Sequence, residues 1–172
     1  GFIACEFAGI LSGLGVEVTQ LVRRDHLLRG FDAELAGVVQ EGMADKGVDV
    51  QFSNGPEAIE GTPGDLVVRT HRGDRIACGG VLLATGRRPF LQGLNLEAAG
   101  VTVQGNRIPV DADQCTNVPH VFAVGDVTDR ICLTPVAIDE GRAFADSVYG
   151  GKPRQVNHAL VASAVFSQPE LA

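Results

Sequence analysis

Residues 1–32 read GFIACEFAGILSGLGVEVTQLVRRDHLLRGFD, and this stretch decides the fold class. Apolar side chains recur in it at helical spacing, which predicts a helix from Ile3 to Leu14 that ends at Gly15. The following segment, Glu17 to Val22, has the apolar content of a short parallel strand. A helix followed by such a strand is typical of a βαβ unit, here without its first strand.

The beginning of this stretch carries half of a dinucleotide-binding motif. Gly1 opens the helix and Ala4 follows three residues later, as in the second half of GxGxx[GA]. A glycine there lets the backbone approach a pyrophosphate, whose negative charge the helix N-terminus favours. Half a motif is weak evidence, and a helix start without any ligand is an equally good interpretation.

Basic residues follow the predicted strand. Arg23 and Arg24 come directly after it, and Arg29 lies a little further on. A site for NAD has an acidic residue about 20 positions after the glycines, where it binds the ribose 2′-hydroxyl. Guanidinium groups in its place suit a 2′-phosphate, which favours NADPH over NADH. Without the preceding segment Gly1–Glu6, a solvated basic turn would be the simpler interpretation.

Composition excludes several classes of partner. The net charge is −7, which argues against nucleic acid or an anionic membrane as a partner. No apolar run approaches the roughly 20 residues of a transmembrane helix. The four cysteines have neither CxxC nor zinc-site spacing, so we expect no metal site and reduced thiols. This predicts a reducing compartment, the cytoplasm first, with an organelle left open.

The rest of the chain continues the mixture of helices and strands. The predicted elements are a helix Ala33–Lys46 capped by Asp32, a strand Val48–Phe52, a hairpin of Asp65–Thr70 and Arg75–Cys78, buried strands Val81–Ala84, Val121–Val124 and Ala162–Ser167, and a helix from Thr134 to about Tyr149. This order predicts an α/β fold.

Several motifs occur in the order typical of one family. Thr85–Pro89 resembles an ATGRxP crossing between nucleotide domains, and Val121–Asp126 and Leu133–Ala137 are similar to an FAD-binding segment. Ala164–Pro169 resembles the first strand of a dimer-interface domain. With residues 1–32, the chain resembles the glutathione reductase family of class I pyridine nucleotide-disulfide oxidoreductases, as an internal fragment.

The resemblance implies a domain organisation. Residues 1–84 would form a Rossmann-like NADPH-binding domain with an adjacent β-hairpin, residues 85–151 the C-terminal part of an FAD-binding domain, and residues 152–172 the start of a dimer-interface domain. The family's redox CxxxxC pair, its first GxGxxG and its catalytic His do not occur in these residues. The segment would therefore hold no catalytic residue, with Glu6 in a supporting role.

The resemblance also implies the site residues. The residues that would contact NADPH are Gly1, Ile3, Glu6, Arg23, Arg29, Gly86, Cys132 and Ala164. Asp126 would accept hydrogen bonds from a ribityl hydroxyl of FAD, and Thr134 would open a helix facing the flavin. Arg142 would reach a carboxylate of glutathione disulfide. Phe2 stands where the family usually has a Tyr that covers the flavin.

The implied activity is the NADPH-dependent reduction of glutathione disulfide by a homodimeric flavoprotein. Trypanothione or mercuric reductase would share the use of NADPH and stays an alternative. Lipoamide dehydrogenase uses NAD, so Arg23 and Arg29 argue against it. A chain that binds NADP without chemistry of its own is the alternative from another functional class.

Overall fold

The computed structural model describes residues 1–172, beginning with helix α1 (Phe2–Gly13), strand β1 (Thr19–Leu21), helix α2 (Ala33–Asp45) and strand β2 (Asp49–Gln51). The strands β1 and β2 pair in parallel, with Gln20 opposite Val50. This is the helix-strand alternation that the sequence predicts, with boundaries that agree to within about two residues.

Both helices pack through small or apolar faces. The buried residues of α1 are Cys5, Ala8 and Gly9, and those of α2 are Ala36, Val39 and Met43. They belong to one core, which also contains Leu27, Leu28, Val48, Val165 and Leu171. Asp32 caps α2, as predicted, because its Oδ1 accepts hydrogen bonds from the Glu34 and Leu35 amides at 2.9 and 3.1 Å.

A three-stranded antiparallel meander follows, made of β3 (Pro56–Thr62), β4 (Asp65–Thr70) and β5 (Arg75–Cys78). The hairpin of β4 and β5 is the predicted one. The sequence did not reveal β3, because that strand begins with Pro56 and is mostly exposed.

The remaining regular structure is a short 3-10 turn, Gly125–Thr128, and helix α3 (Thr134–Val148). The helix agrees with its prediction. A second core contains Val101, Ile108 and Ala123, and the rings of Phe122 and Phe144 lie 4.8 Å apart between centroids.

Three predicted strands are wrong. Val81–Ala84 forms no strand, and its first three side chains are exposed. Val121–Val124 takes part only in the isolated bridge between Cys115 and Phe122. Ala162–Ser167 takes part only in the isolated bridge between Val165 and Leu171. An extended segment becomes a strand only when a neighbouring strand accepts its backbone hydrogen bonds. Val121–Val124 and Ala162–Ser167 have only single-residue bridges to a neighbouring segment, and Val81–Ala84 has none.

The chain divides into two units, Gly1–Gly86 with Ser163–Ala172, and Arg87–Ala162. The domain identities assigned to 1–84, 85–151 and 152–172 stay predictions. None of the three helices has both the length and the apolar composition needed to cross a membrane. No group of three or more His, Cys, Asp or Glu side chains is arranged to hold a metal ion.

Candidate nucleotide- and flavin-binding sites

Gly1 precedes helix α1, and no side chain caps the first amide groups. The first turn also lacks an acidic residue that would compete for these amides. The helix end can therefore receive a phosphate along the backbone.

The arginines after β1 are available for an anion. Arg23, Arg24 and Arg29 are exposed, and none of them takes part in an ion pair. Their backbone is nevertheless fixed, because the Ser53 amide donates to the Arg24 carbonyl at 2.7 Å and the Asn54 amide donates to the Val22 carbonyl at 3.0 Å. Free guanidinium groups on a fixed backbone suit a bound phosphate.

Gly55 makes room for the stem of Arg23. A Cβ on Gly55 would lie 2.9 Å from Arg23 Cγ and 3.9 Å from His71 Nδ1. The Gly55 carbonyl accepts a hydrogen bond from the His71 amide at 3.0 Å. Gly55 thus lies between Arg23 and the turn that joins β4 to β5.

Buried Asn54 holds this arrangement, and sequence reasoning missed it. Its Oδ1 accepts from the Gly55 amide at 3.0 Å, while its Nδ2 donates to Gln51 Oε1 at 3.1 Å and to Asp74 Oδ2 at 3.3 Å. An Asn between glycine and serine usually indicates an exposed turn, so the local sequence gave no signal of this role.

Glu6 lies beside the C-terminal segment. Its Oε1 accepts a hydrogen bond from the Phe166 amide at 3.0 Å, which brings the predicted contacts Glu6 and Ala164 into one region. Ile3 is half-buried, whereas Phe2 and Ala164 are exposed.

Gly86, the remaining predicted NADPH contact of this unit, has a φ of +127°. The space around it is open, since a Cβ there would meet no atom within 4 Å. A side chain would be strained by this φ, so a glycine suits a backbone that a ligand approaches.

The predicted flavin residues belong to the other unit. Asp126 lies in the 3-10 turn, and Arg87 Nη2 is 2.5 Å from its Oδ2. Thr134 begins α3, where Pro135 follows and no side chain caps the exposed first turn. The positive end of that helix can therefore face a negative group on a ligand.

Arg142 and Cys132 are in the same unit as Asp126. Arg142 is exposed on α3 and takes part in no ion pair, so it is available to a carboxylate. Burial, followed by the carboxylates of Asp126 and Asp129, raises the pKa of the Cys132 thiol. By its position in the chain, Cys132 is the only predicted NADPH contact outside the unit that contains Gly1 and Arg23.

Thiol chemistry finds no support in this chain. All four cysteines are free, and burial raises the pKa of the fully enclosed Cys5 thiol. A reactive cysteine is usually accessible and has a lowered pKa. The geometry therefore supports binding of a nucleotide and a flavin, and not disulfide exchange by these residues.

Comparisons with known proteins agree with this interpretation. The family model described as pyridine nucleotide-disulphide oxidoreductase matches residues 1–141. Glutathione reductases from Nostoc sp. and Burkholderia cepacia are 45% and 47% identical, over 99% and 100% of this chain and 40% and 38% of their own lengths. A trypanothione reductase from Trypanosoma congolense is 41% identical over 99% of this chain and 36% of its own length.

Solved structures show the same fold. The flavoprotein disulfide reductase RclA from Escherichia coli superposes with a TM-score of 0.89 at 28% identity, over 99% of this chain and 39% of that one. LpdA from Mycobacterium tuberculosis gives a TM-score of 0.88 at 30% identity, over 99% of this chain and 37% of that one. The chain thus spans about two fifths of the length of the proteins it matches.

Proposed function

Because this chain belongs to the pyridine nucleotide-disulphide oxidoreductase family, we propose that it forms nucleotide- and flavin-binding parts of an NADPH-dependent glutathione-disulfide reductase. It is a mixed α/β chain, and its structural neighbours include flavoprotein disulfide reductases. The cofactors FAD and NADPH agree with this family. The whole protein would be a homodimer in the cytoplasm or another reducing compartment.

One observation carries the choice of NADPH. Arg23 and Arg29 follow β1 without any ionic partner, at the place where an NAD site has an acidic residue. A hydrogen bond to a charged group contributes roughly 1.5–3 kcal/mol. Since about 1.4 kcal/mol corresponds to a factor of ten, two such bonds to the 2′-phosphate give a preference on the order of 100-fold or more.

The other predicted contacts have geometry that fits the cofactors. The uncapped start of α1 at Gly1 suits the pyrophosphate of NADPH, and the open backbone at Gly86 permits a close approach. When bound, FAD supplies hydride acceptance from NADPH and electron delivery to a disulfide. Asp126 would hold a ribityl hydroxyl, and the α3 N-terminus at Thr134 would stabilise negative charge on the flavin.

The substrate is assigned from the chemistry of Arg142. Its guanidinium is exposed and has no ionic partner, so it suits a carboxylate of glutathione disulfide. Two relatives with 45% and 47% identity are named glutathione reductases, which supports the same substrate. Trypanothione disulfide is the second candidate, because a relative with that specificity is 41% identical.

The experiment is a comparison of disulfide substrates with the whole reductase. NADPH oxidation is followed with glutathione disulfide and with trypanothione disulfide, and kcat/KM is determined for each. We expect at least about tenfold higher kcat/KM for glutathione disulfide, with the difference reduced in Arg142→Gln because a carboxylate contact is lost. A preference for trypanothione disulfide would replace the proposed substrate and leave the use of NADPH intact.

A further inference from the structure

A buried carboxylate lies behind the proposed flavin-binding turn. Glu140, on α3, is 1% exposed. Its Oε1 is 3.0 Å from Arg130 Nη2 and 2.7 Å from His158 Nε2, and its Oε2 accepts a hydrogen bond from the Gly125 amide at 2.6 Å. Burying a carboxylate is costly unless such partners compensate it, so this contact set fixes where Glu140 points.

The Gly125 amide, which donates this hydrogen bond to Glu140, is the first amide of the 3-10 turn. Val124 precedes this turn and offers no side-chain cap, so Glu140 supplies the cap from another element. Gly125 has a φ of +73°, and a Cβ there would lie 3.1 Å from the Cβ of Ala137. The absence of a side chain thus lets the turn lie close against α3.

Asp126 is the next residue along the chain. Its backbone direction follows from the anchored Gly125, and Arg87 holds one of its carboxylate oxygens. We propose that Glu140 is a positioning residue for Asp126, acting on the flavin contact through the Gly125 amide. This inference rests on the proposed role of Asp126 in FAD binding.

Glu140 is part of a larger polar network. Arg130 also donates to Gln114 Oε1, while Gln114 Nε2 and Arg130 Nε are buried without a partner. The Arg130 side chain is only 23% exposed, so loss of the Glu140 carboxylate would leave a half-buried guanidinium without its counter-charge.

The test uses the whole reductase stripped of flavin, with the FAD dissociation constant measured by quenching of flavin fluorescence. Glu140→Asp keeps the negative charge beside Arg130 and His158 but shortens the side chain by about 1.5 Å, so the bond to Gly125 is lost. We expect the FAD dissociation constant to rise about tenfold, as one hydrogen bond to a charged group predicts. Asp139→Asn is the matched control, because that neighbouring acid is half-exposed and contacts only Arg154 among charged groups. The FAD dissociation constant of this variant should stay near that of the wild type.

A double-mutant cycle separates positioning from general stabilisation. If Glu140 acts through Asp126, then Glu140→Asp has little further effect on FAD binding in an Asp126→Ala background, which lacks the acceptor oxygens. The NADP⁺ dissociation constant of each variant should stay near wild type, because all proposed NADPH contacts except Cys132 belong to the other unit. If Glu140→Asp yields too little folded protein, Glu140→Gln replaces it in the same cycle, since a single amide oxygen cannot serve Gly125, Arg130 and His158 together.

The outcomes separate the role of Glu140 from that of Asp126. Wild-type FAD affinity in the Glu140 variants, or an effect that adds fully to that of Asp126→Ala, overturns the role of Glu140 while the proposed function stands. Equal FAD affinity of the wild type and Asp126→Ala removes the flavin contact itself, and with it this part of the proposed function.

Discussion

At Cys132, burial and two neighbouring carboxylates act on the pKa of one thiol. Burial and the carboxylates of Asp126 and Asp129 raise its pKa, and its Sγ lies 3.9 Å from Asp129 Oδ1. The thiolate is therefore scarce at neutral pH, and it becomes abundant only as the pH rises above the usual range of a cysteine.

This predicts a faster reaction after removal of one charge. Asp129→Asn should lower the pKa of Cys132, because a negative neighbour that opposes the thiolate is gone, while Asn tolerates the positive φ of +52° at this position. The rate of alkylation by iodoacetamide at pH 8 should rise a few-fold, with Cys132→Ser identifying the labelled site by peptide mass. An unchanged rate across the pH range would show that Asp129 does not act on this thiol.

Among the elements, the loop after β2 links three parts of the region proposed to bind the nucleotide. Buried Asn54 connects it to β2 through Gln51, to the turn between β4 and β5 through Asp74, and to the Gly55 amide that lies beside Arg23. Asn54→Ala removes these bonds and leaves the Gly55 amide without its acceptor, which should destabilise the region by about 1–3 kcal/mol.

Hydrogen exchange tests this element directly. The amides of Gly55 and His71 should exchange faster in Asn54→Ala than in wild type, because local opening becomes easier. Asn157→Ala is the control, since Asn157 is exposed and accepts only from the nearby Ala159 amide. Equal protection of Gly55 and His71 in both variants would contradict the role of Asn54.

The elements also show what the sequence could reveal. The helices and the β4–β5 hairpin were predicted because their signals, such as the Asp32 cap and helical spacing, are local. The strands at Val81–Ala84 and Ala162–Ser167 were wrong because pairing depends on a distant partner, which local composition does not contain.

The proposed site residues differ in the same way. Arg23 and Arg29 can be proposed from the sequence because their type replaces an expected acid at a known spacing. Glu140 was missed because a glutamate on a helix is usually exposed, and its partners Gly125, Arg130 and His158 are brought to it only by the fold.

For the whole chain, exposed apolar surface is the feature that bears on its stability in isolation. A groove of about 660 Å³ is lined by Ala4, Ala8 and Leu11 of α1, by β1, and by Val81–Ala84. Leu82 and Leu83 are 56% and 63% exposed beside it. Contiguous apolar surface of this kind marks a binding interface or a risk of aggregation.

We therefore expect the isolated 172 residues to unfold over a broad temperature range and to bind an apolar dye such as ANS before melting. Differential scanning calorimetry and dye fluorescence measure both properties, and the whole reductase is the control. A sharp two-state transition of the isolated chain without dye binding would show that the groove does not limit its stability.

Arg23 and Arg29 are proposed to bind a phosphate that NADH lacks, and the cofactor preference of the whole reductase tests this proposal. The values of kcat/KM for NADPH and NADH are compared in wild type, in Arg23→Glu with Arg29→Leu, and in the control Arg75→Leu, whose arginine pairs with Glu60 on the meander. We expect a preference for NADPH on the order of 100-fold in wild type and in the control, and a ratio near parity or reversed in the double variant. A wild type that prefers NADH, or a double variant with an unchanged ratio, would contradict it.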